Sequence, residues 1–451
     1  MTSQARGRRY LKRTLIAASV AATGLGSGGA LAGGLLLYEV GTADVGLASA
    51  GYGARAQDAA TVFTNPAGMT RLDGSQLTLG AQLLYGDLKF SPSSGTSSDL
   101  GTNDGGNPIG WFPGGGAFFS HSISPDLKIG VAATGNFGLA LKYNSDWVGR
   151  YYVQEGTLIG MSILPSIAYR VNPNLSLGAS LNVMYGKLKQ QVAINTPDPL
   201  RPGVILPINR STTDGQLNLD NSTWGFGVNL GAMYEFSPAT RVGFTWNSQV
   251  KLKFEPTLEW SGLPPGYQAI LNARGLSNAV LSMDITVPQQ LMLSGFHQID
   301  DRWAVLGSVG WQQWSKFGKP EIGFVNSGNP TTVTENLDFK DTWHFALGGQ
   351  YRISQPWLLN FGVAYDSGFQ DNGHISPALP ANSQWRFGIG AQNEISKNFS
   401  WGVAAEYAYG GTLDVNKQSQ LPVTLGGRGD LVGSYDNAAV WFLAANLNWK
   451  F

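Results

Sequence analysis

A chain of 451 residues with 30 basic and 30 acidic side chains has no net charge, so it offers no electrostatic footprint for nucleic acid. It has no cysteine, which excludes disulfides and thiolate metal sites. Charged residues make up 13% and glycines number 60, whereas ordinary soluble domains are about 25% charged; this composition points to a β-rich chain that meets lipid.

The first 32 residues read as a secretory signal. "RGRRYLKR" is a basic n-region, "TLIAASVAATGL" an apolar stretch, and Ala30, Leu31, Ala32 a small-x-small cleavage site that leaves Gly33 as the mature N-terminus. Beyond it no apolar run approaches the roughly 18 residues of a membrane helix. Export and low charge together indicate the periplasm or outer membrane of a Gram-negative cell. Residues 33–74 hold eight Gly and eight Ala, and a segment this short cannot bury a core of its own. Lying ahead of the first strand, it is expected to fold into the interior of whatever follows as a plug.

From residue 75 onward the pattern alternates with period two. Six short polar turns join such segments: "ISPDLKIG" (123–130), "VNPNLSLG" (171–178), "FSPATRVG" (236–243), "IDDRWAVLG" (299–307), "ISQPWLLNFG" (353–362) and "ISKNFSWG" (395–402). Around them Trp224, Phe226, Val228 and Leu230 share one face, and Trp357, Leu359, Phe361 and Val363 share another. Arg386, Glu406 and Lys450 fall on the small or polar faces. Longer Gly-, Asn- and Ser-rich stretches at 91–113, 195–221, 256–277, 318–331, 370–382 and 412–432 separate the hairpins.

Six hairpins make twelve strands, and segments 75–90 and 433–451 add two. The fold class expected is all-β: a 14-stranded antiparallel transmembrane barrel, residues 75–451, with short turns at one end and long loops at the other. The last strand, "AAVWFLAANLNWKF", sets Trp441, Leu443, Leu447, Trp449 and Phe451 on one face. Lipid leaves no water for backbone groups, so this strand must pair with the first and close the sheet.

Within residues 58–74, "DAATVFTNPAGMTRLDG" strongly resembles the hatch of the outer-membrane transporters of long-chain fatty acids and aromatic hydrocarbons, the FadL/TodX family. The likeness continues through "NFGLALKYNSDWVGRYYVQEGTLIGMSILPSIAYRVNPNLSLG" (136–178) and covers essentially the whole mature chain. It implies a barrel with an N-terminal hatch that passes hydrophobic molecules inward. Asn65, Pro66 and Ala67 are then the hatch element expected to meet a kink in the third strand at Asn136, Phe137 and Gly138, where the family opens sideways. Gly inside a strand often marks a bulge, and Pro165 in the fourth strand cannot donate to a ladder, so broken pairing is expected near strands three and four. Leu35, Leu36 and Leu37 resemble the family segment that reaches the deep pocket. Leu263, Tyr267, Ile270 and Leu271, in a loop with helical character over 267–274, offer an outer apolar foothold.

The expected partners are a hydrophobic small molecule (a fatty acid, an aromatic hydrocarbon, or a detergent in its place), outer-membrane lipid and lipopolysaccharide, with the protein a monomer. No cofactor and no metal are implied. A general diffusion porin is the nearest rival, but it needs a charged open constriction. An enzyme barrel needs a catalytic grouping, and the four histidines at 121, 297, 344 and 374 show no such spacing.

Overall fold

In a computed structural model of the chain, residues 35–196, 214–325, 333–373 and 375–451 are described; the expected signal segment, Gly33 and His374 lie outside them. Fourteen long strands form the wall and are numbered here alone: β1 (Ser75–Asp87), β2 (Gly110–Ser122), β3 (Leu127–Lys142), β4 (Glu155–Arg170), β5 (Leu175–Ile194), β6 (Gly215–Ser237), β7 (Thr240–Asn247), β8 (Gln290–Gln298), β9 (Trp303–Gln312), β10 (Thr342–Ser354), β11 (Trp357–Asp366), β12 (Gln384–Ser396), β13 (Phe399–Lys417) and β14 (Leu431–Lys450). Each pairs antiparallel with its sequence neighbour, and β14 pairs with β1 from Gln76↔Lys450 to Asp87↔Ala439, which closes the barrel. Phe451 completes that seam by exchanging backbone hydrogen bonds with Ser75 at 2.9 Å each way.

Alternation decides which side chain meets lipid. Phe226, Leu347, Ile389 and Leu443 are exposed, while Arg386, Glu406, Asn446 and Gly231 face inward and are buried. Rings gather toward strand ends, as in Trp303 with Tyr351 at 4.4 Å and Tyr85 with Trp111 at 4.8 Å. This is the interfacial girdle of a membrane barrel, where a ring spans apolar and wet layers.

All six short turns join strands as the pattern implies. The long connections differ from the pattern at three places. Residues 143–154 form a further loop between β3 and β4, hidden in sequence because "DWVGRYY" is as aromatic as the strands beside it. Strand β6 begins at Gly215 and β13 extends to Lys417, inside stretches whose Asn and Asp content reads as loop. These polar residues rise above the lipid band, where Lys187 pairs with Asp220 and Lys189 with Glu155.

The wall is also uneven in a way alternation does not reveal. Ribbons Val250–Phe254, Leu281–Val287, Glu321–Phe324 and Val333–Thr334 make a second sheet. The β7–β8 register, Asn247↔Gln290, continues as Leu252↔Ile285, so the ladder bends inward without slipping. Gly186 and Gly225 leave room on the wall for Leu252, Phe254 and Val250 to press against it. Their alternates Lys251 and Lys253 stay exposed.

Residues 35–72 lie inside the cylinder and are almost all buried. Close approach is possible because the facing wall is glycine: a Cβ on Gly362 would strike the carbonyl of Leu47, and one on Gly388 the carbonyl of Val45. Ser294 and Ser308 accept from the backbone N–H groups of Gly53 and Tyr52. Within the segment Arg55 pairs with Asp44 at 2.7 Å. Burial pushes the Asp44 carboxyl above its ordinary range, opposed by the adjacent guanidinium.

Leu347, mid-strand between Trp343 and Tyr351 and 60% exposed, tests the lipid face. Leu347→Arg is expected to destabilise the folded barrel by about 2–4 kcal/mol, read as a lower denaturant midpoint in lipid vesicles.

Candidate functional site

Around Asn136, Phe137 and Gly138 the ladder is broken. Strand β3 pairs with β2 only from Gly116↔Thr134 to Ser122↔Lys128. Beyond Thr134 the two part company, although β2 continues against β1 up to Gly86↔Gly110. The gap is bounded at one end by Thr134 Oγ1 donating to Gly115 O at 3.2 Å, and at the other by Lys142 N donating to Pro108 O at 2.7 Å. On its other side β3 carries a bulge, Gly135 facing Met161 and Phe137 facing Gly160, which leaves Asn136 as the extra residue. Gly138 follows with φ +136°, and a Cβ there would run into Leu158 O and Ile159 Cα. Only glycine tolerates that combination.

The sequence-based expectation placed the broken pairing near strands three and four. A bulge does lie there, and the β4–β5 ladder skips Leu164 and Pro165. The wider break, however, is between β2 and β3. Pro113, with no N–H, sits in β2 on the parted stretch.

The free edge of β3 is occupied by the first described residues. Leu37 N donates to Asn136 O at 2.9 Å, Gly138 N donates to Leu35 O at 2.7 Å, and Leu36 bridges Phe137 as a short antiparallel partner. Leu35, Leu36 and Phe137 are all but fully buried. Leu37, with Leu84, Ile109, Phe112, Leu139 and Val440, lines an apolar cavity of about 30 Å³ beside the gap, space for a water or two. The free edge of β3 is therefore covered by this segment.

Asn65, Pro66 and Ala67 do not meet the kink. Asn65 Nδ2 donates to Gly53 O and to Ala232 O, at 2.6 and 3.2 Å, and its Oδ1 accepts from Ala67 N at 3.1 Å. The turn lies on Gly178, Gly231 and Gly243 of β5, β6 and β7. Met69, further along the same 3-10 turn (Pro66–Arg71), reaches β3 at Gly130, six residues before Asn136. The wall is small-sided at β5–β7, and that is where a rigid Pro turn fits.

Just after the leucines, the chain enters a buried charged cluster that sequence reading missed as a unit. Glu39 pairs with Arg386, whose Nε also donates to Glu406 at 2.8 Å and whose Nη1 lies 3.5 Å from Asp366. His344 Nδ1 stands 2.6 Å from the other Asp366 oxygen. Tyr38 accepts from Gln312 at 2.7 Å. The sequence signal was the inward parity of Arg386 and Glu406, but Glu39 lay in a segment without periodicity. The other described histidines are apart from this cluster, His121 on Ser75 and His297 on Thr240.

At the far end, Pro265–Arg274 is a helix stopped by Gly275 in the left-handed region. Leu263 covers Gly215, Leu271 leans on the apolar interior, Tyr267 is half-buried and Ile270 is 47% exposed. One continuous apolar cluster runs from beneath this helix through Leu276, Leu281, Leu252 and Phe317 to Phe137, Leu36 and Leu35. The helix and the kink, far apart in sequence, thus share one apolar interior.

Comparison with known proteins is in agreement with this geometry. A family model described as "Outer membrane protein transport protein (OMPP1/FadL/TodX)" matches residues 23–451. The chain belongs to the OMPP1/FadL/TodX family. It is accordingly an outer-membrane protein. It is 26% identical over 440 residues to the long-chain fatty acid transport protein of Escherichia coli, covering 93% of this chain and 94% of that one. Among solved structures, a Pseudomonas aeruginosa FadL homologue superposes with a TM-score of 0.79 at 22% identity, over 92% of this chain and 99% of the other. The Pseudomonas putida toluene transporter TodX gives 0.62 at 18%, over 90% and 99%. Both likenesses bear on the fold.

Asn65→Ala removes the side-chain bonds that hold the Pro turn on β5–β7. It is expected to cost roughly 1–3 kcal/mol and to raise the frequency of ion-conducting openings in planar bilayers.

Proposed function

We propose that this protein admits hydrophobic molecules, long-chain fatty acids or aromatic hydrocarbons, by downhill diffusion through its apolar interior and sideways out between β2 and β3, with residues 35–72 as the hatch. The observation that carries the reading is the pairing of Leu35, Leu36 and Leu37 with the free edge of β3. In hydrocarbon an unpaired strand edge is costly, so a segment that satisfies it also seals it. A segment held by two backbone bonds and apolar contact can be exchanged for another apolar body.

Energetics favour such a route over a watery pore. Each CH₂ removed from water is worth about 0.8 kcal/mol, so an acyl chain prefers apolar surface at each stage. Leu263, Tyr267, Ile270 and Leu271 form the foothold, the cluster beneath them the interior, and Leu35, Leu36 and Leu37 the last barrier before Asn136, Phe137 and Gly138. The related proteins whose names specify a cargo are a fatty acid transporter and a toluene transporter, which brackets the substrate class by hydrophobicity.

Replacing Asn136, Phe137 and Gly138 by a regular two-residue β segment, which restores the β3–β4 register, tests the exit. Oleate and toluene uptake by whole cells is expected to fall at least to the level of cells lacking the protein, while the barrel still folds. Undiminished uptake by a properly folded variant would defeat the lateral route.

A further inference from the structure

The buried guanidinium of Arg386 has a partner that the transport path is built to disturb. Glu39, which pairs with it, lies two residues beyond Leu37, and Leu37 lines the cavity beside the β3 gap. The wall repeats this adjacency: Val440 lines the same cavity, and Phe442, two residues further along β14, sits opposite Glu406, which also holds Arg386. Two strand residues span about 7 Å, so a molecule whose tail displaces Leu37 and widens this small cavity has Arg386 within reach of its head.

Other buried guanidiniums are committed elsewhere. Arg55 pairs with Asp44 inside the hatch, Arg150 with Asp214 among the loops, and Arg241 donates to the carbonyls of Ala54 and Arg55. Arg386 alone among these four is held by a carboxylate on the segment that stoppers the exit.

We propose that Arg386 is a carboxylate-binding site for cargo, at which the head group of a long-chain acid replaces Glu39. The proposal rests on the transport reading above and narrows its cargo to molecules with an ionised head. Charge count favours exchange over addition. Glu39, Asp366 and Glu406 already surround one guanidinium, with His344 beside Asp366. A fourth carboxylate would be uncompensated in this dry interior, whereas one leaving as another arrives keeps the balance. The acid gains a charge-assisted bond that offsets its lost hydration, and Glu39 departs with the leucines attached to it. A neutral hydrocarbon has no such lever and must displace the leucines by apolar contact alone.

The test compares oleate with oleyl alcohol, the same tail with a neutral head, on the full mature chain in lipid nanodiscs. Glu39→Gln weakens the resident competitor, and the ratio of oleate to oleyl alcohol affinity is expected to rise roughly ten-fold. The paired change Arg386→Gln with Glu406→Gln, which leaves no stranded cation, is expected to abolish the preference for the acid. A spin label at Leu37→Cys, the sole thiol in the chain, is expected to loosen on adding oleate and less on adding the alcohol. If Glu39→Gln moves both affinities equally and the paired variant keeps its preference for oleate, the exchange is refuted while the transport reading stands. If the wild type binds neither probe, both fall.

Discussion

Everything in this molecule follows from the rule that backbone polar groups in hydrocarbon must be paired. Closure of β14 on β1 satisfies the rule around the circumference. The parting of β2 from β3 violates it, and each device at the candidate site repairs that violation. The β3 bulge spends one residue to turn the strand, Gly138 supplies a backbone conformation other residues avoid, and Leu35, Leu36 and Leu37 supply the missing ladder. The wall has a free edge because a strand was bent, and that edge is covered because another segment pairs with it.

Packing of the interior follows from the same closure. Inward positions of a barrel converge, so what lies inside must be small or must find a small wall. Residues 35–72 bring Gly and Ala, and the strands answer with Gly178, Gly231, Gly362 and Gly388 where backbone meets backbone. Polar groups inside are bonded in pairs that cross the boundary, as Asn65 with Ala232 or Gly53 with Ser294. The inner segment is thereby held by polar bonds along its length, while its leading leucines are held by apolar contact and two backbone bonds. A segment of uneven tenure can move at one end and stay at the other.

Much of the cylinder was legible from periodicity. The face of Trp357, Phe361 and Val363, the six turns, and the terminal aromatic strand each state their place, because lipid, lumen and turn demand different residues. What periodicity cannot state is where a two-faced ribbon goes. Leu281, Met283, Ile285 and Val287 alternate as a wall strand would, yet they belong to the inner sheet. Nor does alternation record a partner that is missing: β2 and β3 look alike on either side of Thr134. The Asn65 turn was expected at the kink through resemblance, and it lies on β5–β7 instead. Glu39 and Arg386 meet through tertiary closure alone, which local pattern does not encode.

The seam between β1 and β14 has a temporal implication. Residues from Leu35 onward, ahead of the first strand, end up wrapped inside, touching β3, β12 and β13, and β14 fastens the cylinder on β1. Seating the N-terminal stretch while the sheet is still an open curl would make the zipping of the final strand the act that encloses it.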